Sequence, residues 1–207
     1  MKNLSVLFFL TFSFCQEKFP TDSLLKSKNI SVLKKVFLIP IAGWQRLSYR
    51  SNFFDCQYFP SCSNYSAEAI CKYGFFRGSV ITADRITRCN PFALDHHLQL
   101  NRPFHDLDGR LIDPVDQRGV QNPKKSPVVS ALLSTIIPGL GRIYTGKKAD
   151  GIIGLWTFYL TSSLTLSAIE NNKPHHGLLF GTITIFHYFG EIYGAWRSAR
   201  VYQPIED

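Results

Sequence analysis

Hydrophobic residues recur every three to four positions through residues 62–89, which is the spacing of amphipathic helices. This pattern predicts one helix over about residues 63–73 and a second over about residues 75–89. A serine at the start of the first helix, Ser61 or Ser63, can cap it by accepting a bond from an unpaired backbone N–H. Gly74 suits the left-handed position that ends a helix, so the pair is expected to fold back as an antiparallel hairpin.

Residues 32–49 are apolar with basic residues interleaved. Pro40 and Gly43 cost about 3 and about 1 kcal/mol relative to alanine in a helix interior. We therefore predict two short amphipathic pieces here, one ending near Ile39 and the next around residues 44–47. The second piece suits either a lipid headgroup interface or packing against a core. The residues that favour the interface are Trp44, Arg46 and Tyr49.

The composition becomes apolar beyond residue 126, and three apolar segments follow at about residues 128–145, 152–169 and 178–196. The first segment is broken by Pro138-Gly139. The second consists of eighteen uncharged residues, which is near the minimum length for a membrane span. The pattern predicts an all-α protein, with a small helical cysteine-containing domain followed by a two- to three-helix transmembrane domain.

Two ionisable residues, His187 and Glu191, interrupt the third apolar segment one helical turn apart. Ionisable groups at membrane depth normally face protein or water. The pair therefore marks either a contact between helices or a functional site, and we expect a helix contact.

The remaining segments divide the chain. Lys2 precedes an apolar run that is too short to cross a bilayer of about 30 Å comfortably, and this combination is typical of an export signal. Polar stretches without periodicity predict linkers. The predicted order is a signal peptide at 1–15, a linker at 16–31, the cysteine-containing domain at 32–118, a linker at 119–126 and the transmembrane helical domain at 127–200.

The formal net charge is +8 at pH 7, and the excess is spread along the chain. No segment is basic enough to indicate a nucleic-acid partner. A spread excess of positive charge fits contact with the surface of an anionic membrane better.

The second predicted helix has two faces. At 100° per residue its apolar residues fall on one side, and three arginines fall within about 80° of one another on the other side. Such a stripe is either a solvated face or a surface that contacts the phosphate groups of lipid or of an anionic partner. We predict phosphate contact. The three arginines are Arg77, Arg85 and Arg88.

Folding the hairpin back brings Cys89 close to Cys62, and Cys56 lies six residues before Cys62. We therefore expect these three cysteines to converge, with Cys71 apart at the far end of the first helix. The cluster suits packed thiols, a disulfide, a zinc site or a nucleophilic thiol. The spacing fixes no fourth metal ligand and no base partner. We expect no metal, no cofactor, no catalytic residue and no small-molecule substrate.

This stretch resembles the YidD family of membrane protein insertion efficiency factors. The shared pattern reads C-R-F-x-P-[ST]-C-S-x-Y, then Y/F-G-x-x-x-G, then R-x-x-R/K-C-x-P, then D-P-V, and GWQRLSY upstream resembles Y-Q-R-x-I-S. The resemblance covers roughly residues 32–118, although the stretch between Pro91 and Asp113 is longer here. The matching positions are Cys56, Phe59 (shifted by one place), Pro60, Ser61, Cys62, Ser63, Tyr65, Gly74, Gly78, Arg85, Cys89, Pro91, Asp113, Pro114 and Val115.

The resemblance implies a non-enzymatic accessory factor that works among membrane lipids, beside the insertase, as proteins enter the bacterial inner membrane. Two other functions stay open from the residues. The amphipathic aromatic segments permit a membrane-perturbing, haemolysin-like protein, and the cysteines permit a thiol-based redox protein.

Residues 126–151 resemble the signature P-G-x-G-x-x-Y-x-G of small membrane domains with two or three helices, which implies membrane residence and no activity. These glycines do not form a nucleotide-binding loop, because Gly146-Lys147 is followed by a second lysine in place of Ser or Thr. The matching residues are Pro138, Gly139, Gly141, Tyr144 and Gly146.

Cations gather after the first and the third apolar segments, and positive residues favour the cytoplasm. Three crossings then place the C-terminus inside and the cysteine-containing domain on the periplasmic side, in agreement with an export signal. If the first segment enters the membrane without crossing it, the domain lies on the cytoplasmic side instead. We therefore predict a protein integral to the bacterial inner membrane.

Overall fold

The computed structural model describes residues 19–49, 56–116 and 124–201. The predicted signal peptide and most of the second predicted linker lie outside these residues. Within these ranges the protein is all-α, as the sequence predicts, apart from one parallel pair of two-residue strands, β1 (Tyr58–Phe59) and β2 (Leu111–Ile112). The helices are α1 Pro20–Lys26, α2 Val32–Ser48, α3 Cys62–Tyr73, α4 Phe75–Arg88, α5 Ala93–Gln99, α6 Pro127–Ile136, α7 Leu140–Tyr144, α8 Lys148–Glu170 and α9 Pro174–Val201.

The predicted hairpin is α3 and α4. At the start of α3 the Ser61 hydroxyl accepts a hydrogen bond from the Asn64 N–H at 3.4 Å, which confirms the serine cap. Gly74 joins the helices with a φ of 79°, a region that favours glycine. The helices approach closely at Gly78, where a Cβ would lie 2.7 Å from the Ile70 backbone. The hairpin is therefore fixed by local sequence at both its cap and its turn.

The prediction that Pro40 and Gly43 divide residues 32–49 is wrong, because α2 is one continuous helix. Leu38 of α2 is fully buried and packs with Ala67 and Ile70 of α3. Fully burying an aliphatic side chain contributes about 1.5–3 kcal/mol, and several such contacts offset the propensity penalties. The proline and the glycine both lie on the exposed side, so packing against α3 is undisturbed.

The predicted linker at residues 16–31 also contains structure, since residues 20–26 form α1. This helix is tied to α2 at two points. The Thr21 N–H donates to the Gln45 side chain at 3.2 Å, and Arg46 donates to Asp22 at 2.8 Å. The polar composition of this stretch did not predict α1, because its position depends on contacts with α2.

The C-terminal part consists of a short broken segment and a long helical pair. Gly139, with a φ of 88°, separates α6 from α7, so the predicted break at Pro138-Gly139 is confirmed. α8 and α9 pack side by side in opposite directions, with Gly177 near Ala168 and Gly154 near Glu191. Among the described residues, α8 is the helix whose length and composition are sufficient to cross a membrane.

The arrangement of α6 differs from the three crossing segments that the sequence predicts. Ser130 donates to the Ala195 carbonyl at 2.8 Å, and Tyr188 donates to the Thr135 carbonyl at 2.7 Å, so α6 runs antiparallel to the end of α9. A helix of ten residues spans about 15 Å, roughly half of the hydrocarbon core. The start of α6 therefore lies beside the end of α9, whereas three complete crossings would place them at opposite ends of the helical unit.

The two predicted domains pack against each other along α4 and α9. A Cβ at Gly190 would lie 2.7 Å from the Ala83 side chain, and the rings of Phe75 and Phe186 meet edge to face at 5.6 Å. The two helices run in the same direction. Phe75, at the start of α4, contacts Phe186, and Ala83, further along α4, lies beside Gly190, further along α9. The C-terminal half of α9 is thus covered by the cysteine-containing domain.

Candidate functional site

A continuous series of buried ion pairs connects the two halves of the molecule. Arg142 of α7 donates to Glu191 of α9 at 2.9 Å and to Asp84 of α4 at 2.8 Å. Arg88 of α4 donates to the second oxygen of Asp84 at 2.9 Å and to Asp113 at 2.6 Å. We call this series the ion-pair chain, and it comprises Glu191, Arg142, Asp84, Arg88, Asp113 and Arg197.

Asp113 is the carboxylate that binds arginines from both halves of the molecule. Its carboxylate accepts hydrogen bonds from Arg85 and Arg88 of α4, and from Arg197 of α9 at 2.8 Å. Burial by itself raises the pKa of Asp113, but the three guanidinium groups outweigh it and hold that pKa well below its usual range. Asp113 is therefore a carboxylate at neutral pH, and it fixes α9 against α4.

The predicted basic stripe does not form a shared surface. Arg85 is fully buried and Arg88 is 4% exposed, and both bind Asp113. Only Arg77 is exposed, where its guanidinium lies 4.6 Å from the centre of the Tyr73 ring. The helical wheel separated arginines from apolar residues correctly, but the arginine face of α4 packs against Asp113 and α9. The prediction that the three arginines jointly contact lipid phosphate is corrected accordingly.

Buried ion pairs of this kind do not simply add stability. Removing two charges from water costs free energy that only good geometry and further hydrogen bonds repay. Removal of one partner is costly, however, because the remaining charge is left buried and uncompensated. The ion-pair chain thus makes the packing of α7 and α9 on α4 specific.

The three family-motif cysteines converge, as the hairpin argument predicts. Their sulphur atoms all lie within 4.8 Å of one another, and those of Cys56 and Cys62 are 3.5 Å apart. Cys56 precedes β1, Cys62 opens α3 and Cys89 ends α4. All three are free thiols in the structure, as is Cys71 at the other end of α3. We call Cys56, Cys62 and Cys89 the thiol cluster.

The thiols of the cluster differ in acidity because they hydrogen-bond to one another. Hydrogen bonds from the Cys62 and Cys89 side chains lower the pKa of Cys56 far below that of an ordinary thiol. Hydrogen bonding to Cys56, together with burial, raises the pKa of Cys62 and of Cys89. The hydrogen bonds among the three sulphur atoms therefore favour the thiolate form of Cys56 over those of Cys62 and Cys89.

An apolar groove lies beside the thiol cluster. It has a volume of about 550 Å³ and runs between α2 and the α3–α4 hairpin. Cys62 and Cys89 line one side of it, and the remaining lining is mainly apolar. The groove-lining residues outside the cluster are Pro40, Ile41, Trp44, Ser63, Ser66 and Ile86.

The exposed side of α2 continues this apolar surface. Opposite the face that packs on α3, α2 presents a stripe of large hydrophobic side chains to the surroundings. Val32 is 78% exposed and Leu47 is 63% exposed. We define the exposed α2 face by its six large exposed residues, Val32, Leu33, Val36, Ile39, Trp44 and Leu47. Core packing thus applies to one face of α2, and the opposite face is the one that the interface prediction concerns.

The residues of the second predicted signature form the turn between α6 and α8. Gly139 and Gly146 both have positive φ, at 88° and 98°. Gly141 provides close approach, since a Cβ there would overlap the Ser130 carbonyl oxygen. Pro138 is buried at the break, and Tyr144 lies 5.1 Å from the Lys125 ammonium. These positions shape the chain and carry Arg142 into the ion-pair chain.

The expected helix contact at His187 and Glu191 is confirmed. The His187 ring nitrogen Nε2 donates to the Gly154 carbonyl at 2.9 Å, and Glu191 binds Arg142. Sequence reasoning identified neither Arg142 nor Arg197 as the partner of an acidic residue. A charge within an apolar segment was a sufficient signal to search for a partner, but the sequence did not show which cation it meets.

Comparison with known proteins identifies the first half. Residues 33–97 match the YidD family model, whose description is "Putative membrane protein insertion efficiency factor". A protein with this description from Clostridium perfringens is 40% identical over 61 residues, which are 30% of this chain and 88% of that relative. The chain belongs to the YidD family.

Other YidD relatives match a stretch of this chain of nearly the same length. A protein of the same description from Thermoanaerobacter pseudethanolicus is 42% identical over 60 residues, 29% of this chain and 87% of the relative. One from Exiguobacterium sp. is 43% identical over 60 residues, 29% of this chain and 67% of the relative. No solved structure matches the chain. The YidD match includes the thiol cluster and Asp84, whereas Asp113, Arg142, Glu191 and Arg197 lie beyond it.

Proposed function

We propose that this protein is a non-enzymatic accessory factor for the insertion of proteins into the bacterial inner membrane. It is integral to that membrane through α8 and α9, and it offers an apolar surface to segments that are entering the lipid. The process is the one that the relatives' description names. The exposed apolar surfaces are the part of the protein that could contact an inserting segment.

The single observation that carries this proposal is the exposed α2 face. Six large hydrophobic side chains exposed on one helix are costly in water, whereas a lipid boundary or an apolar client segment covers them. Lys35 extends from the same helix and can reach headgroup phosphates, whereas Lys34 and Arg46 bind the Cys71 carbonyl and Asp22. Such a helix suits the plane of a membrane interface.

A chain of aromatic rings links α2 to the membrane helices. Phe37 of α2 stacks on Phe75 of α4 at 3.9 Å, and Phe75 meets Phe186 of α9 at 5.6 Å. Phe76 is 76% exposed at the same place. This contact supports a position of the YidD domain close to the membrane surface, with the groove and the exposed α2 face reachable by an incoming apolar segment.

The test measures insertion of a membrane protein client in cells that lack this protein and carry a variant in its place. Val36→Asp combined with Ile39→Asp places two charges in the exposed α2 face without touching the buried face. We expect insertion to slow to the rate seen in the deletion strain. Leu107→Asp is the matched control, since Leu107 is 90% exposed but lies in the turn before β2. Equal insertion by both variants would contradict the proposal.

We further propose that the two ends of the membrane unit share one side of the membrane. Single cysteines placed at positions 120 and 205, in a cysteine-free background, are treated with an impermeant thiol reagent on intact cells. Both positions should react alike, because the start of α6 lies beside the end of α9. Reaction at only one position would refute the α8–α9 pair as two crossings. Whether both are protected or both react decides between the cytoplasmic and periplasmic sides.

A further inference from the structure

The proposed function makes no use of the thiol cluster, although its geometry is specific. Two of its sulphur atoms are 3.5 Å apart, and all three lie within 4.8 Å of one another. Two sulphur ligands on one tetrahedral zinc ion, with Zn–S bonds of about 2.3 Å, are about 3.8 Å apart. The observed separations bracket this value, so a single ion can contact all three sulphur atoms after small side-chain adjustments.

We propose that Cys56, Cys62 and Cys89 bind one thiophilic metal ion, and we choose Zn²⁺ as its probe. Three sulphur ligands favour zinc or copper(I) over the hard cations magnesium and calcium. Separations this short fit one ion and leave no room for a multi-metal cluster. With three protein ligands, a zinc ion retains a fourth position for a water molecule or an external ligand.

The surroundings of the sulphur atoms fit thiolate ligands. The Cys62 backbone N–H donates to the Cys56 sulphur at 3.3 Å, and the Gln57 side-chain amide donates to the Cys89 sulphur at 3.8 Å. Donors of this kind hold metal ligands in orientation and stabilise their charge. Cys56 and Cys89 also pack against the buried Tyr58, Ala93 and Leu111 cluster, which keeps water from that side.

Metal binding changes the protonation of the cluster. A bound dication stabilises all three cysteines as thiolates, and the thiol protons are released to solvent. Affinity therefore weakens as the pH falls. The ion joins the segment before β1, the first turn of α3 and the end of α4, at the edge of the apolar groove.

The competing arrangement is a disulfide between two of the cysteines, for example Cys56 and Cys62, whose sulphur atoms are 3.5 Å apart. Oxidation would remove two of the three ligands. The two arrangements are distinguished by counting thiols after denaturation, because a metal site returns every cysteine as a free thiol and a disulfide hides two.

The experiment uses the full chain in detergent micelles, stripped with a chelator under reducing conditions and then titrated with Zn²⁺ or Co²⁺. We expect about one metal ion per chain, with the intense near-ultraviolet absorption of cobalt–thiolate bonds. Cys56→Ser, Cys62→Ser and Cys89→Ser should each lose at least about 100-fold in affinity. Cys71→Ser is the matched control and should bind as the unaltered protein does.

Three results would overturn the proposal. They are the absence of cobalt–thiolate absorption in the unaltered chain, equal loss of affinity in Cys71→Ser, and two missing thiols in protein purified without added metal or reductant. Circular dichroism identifies any serine variant that fails to fold. In that case Gln57→Ala tests the site, because it removes a donor and no ligand, and its affinity should fall about 10-fold to 100-fold.

Discussion

Both halves of this protein bury polar side chains, but they differ in the hydrophobic side chains that they bury, which among the described C-terminal residues are alanines. In the YidD domain the largest clusters of buried residues are apolar, around Leu38, Tyr65 and Ile81. In the C-terminal half, Leu, Ile and Trp side chains of α8 are exposed while polar ones are buried. The buried polar residues there are Ser130, Ser134, Arg142, Thr145, Lys147, Asp150, His187, Glu191, Arg197 and Ser198.

This difference indicates which solvent each half suits. A fold with its polar groups paired inside and its hydrophobic groups outside is stable where the surroundings are lipid, because water no longer opposes the exposed apolar surface. The apolar clusters of the YidD domain form a core of the kind that water itself stabilises, although its exposed α2 face is apolar. The ion-pair chain lies where the two patterns meet, and the following changes test the comparison in order of expected effect.

The largest effect is expected at Asp113. Asp113→Asn leaves Arg85, Arg88 and Arg197 without their shared carboxylate and should lower the free energy of unfolding by about 3–5 kcal/mol. Denaturant unfolding in detergent measures this. Asp22→Asn is the control, since the exposed pair of Asp22 and Arg46 should contribute less than about 1 kcal/mol. Equal losses in the two variants would show that the junction is not a buried electrostatic contact.

A charge on the outer surface of α8 is expected to have the next largest effect. Leu164 is 48% exposed, and Leu164→Lys should raise the free energy of membrane insertion by about 2.5–3.5 kcal/mol if lipid surrounds α8. The fraction of protein that resists alkaline extraction from membranes measures this. Leu107→Lys, at a 90% exposed leucine outside the helical pair, should leave that fraction unchanged. An unchanged fraction for both would argue that α8 faces water.

A methyl group at Gly141 tests how closely α6 and α7 pack. Gly141→Ala places a Cβ against the Ser130 carbonyl oxygen and should cost about 1–3 kcal/mol of stability. Gly181→Ala is the control in the outer part of α9, where the nearest atom to a new Cβ is 3.5 Å away. This control should be neutral or more stable by about 0.5–1 kcal/mol. Thermal unfolding of both variants provides the comparison, and an unaffected Gly141→Ala would show that the turn is loosely packed.

The smallest effect concerns Lys147, which lies 3.5 Å from Asp150 just before α8. Burial lowers the pKa of Lys147 to about 8, with Arg88, Arg197 and Arg142 acting in the same direction and Asp150 opposing them. The pKa of a lysine in the unfolded chain is about 10.4. Between pH 8 and that value, Lys147 therefore keeps its proton in the unfolded chain and loses it in the folded protein. Stability due to this group is thus lowest below pH 8 and rises with pH.

We expect the rise to be on the order of 1 kcal/mol per pH unit just above the lowered pKa. Lys147→Met should remove this slope, and Lys148→Met, at an exposed lysine next to it, should retain it. Unfolding free energies measured at several pH values decide between them. Identical slopes in the two variants would mean that Lys147 keeps its ordinary acidity.

The sequence by itself determined the features that depend on neighbours along the chain. The α3–α4 hairpin follows from Ser61, Gly74 and the helical spacing of apolar residues, and the approach of Cys89 to Cys62 follows from the hairpin. The break at Pro138-Gly139 and the length of α8 are equally local. In each case the deciding residues lie within a few turns of one another, so propensity and periodicity contain the information.

Only the tertiary structure decided what each face meets. Arg85 and Arg88 resemble a solvent-facing stripe on a helical wheel, but a wheel does not show Asp113, which lies 28 and 25 residues away. Asp84 and Arg142 are 58 residues apart, and Asp113 and Arg197 are 84 apart. Pro40 remained within a helix for the same reason, because contacts of Leu38 with α3 outweighed a local penalty. Pairing of charges and surfaces between residues far apart in the sequence determines the junction between the two halves. Helix propensity and hydrophobic periodicity describe only neighbours along the chain and do not predict such contacts.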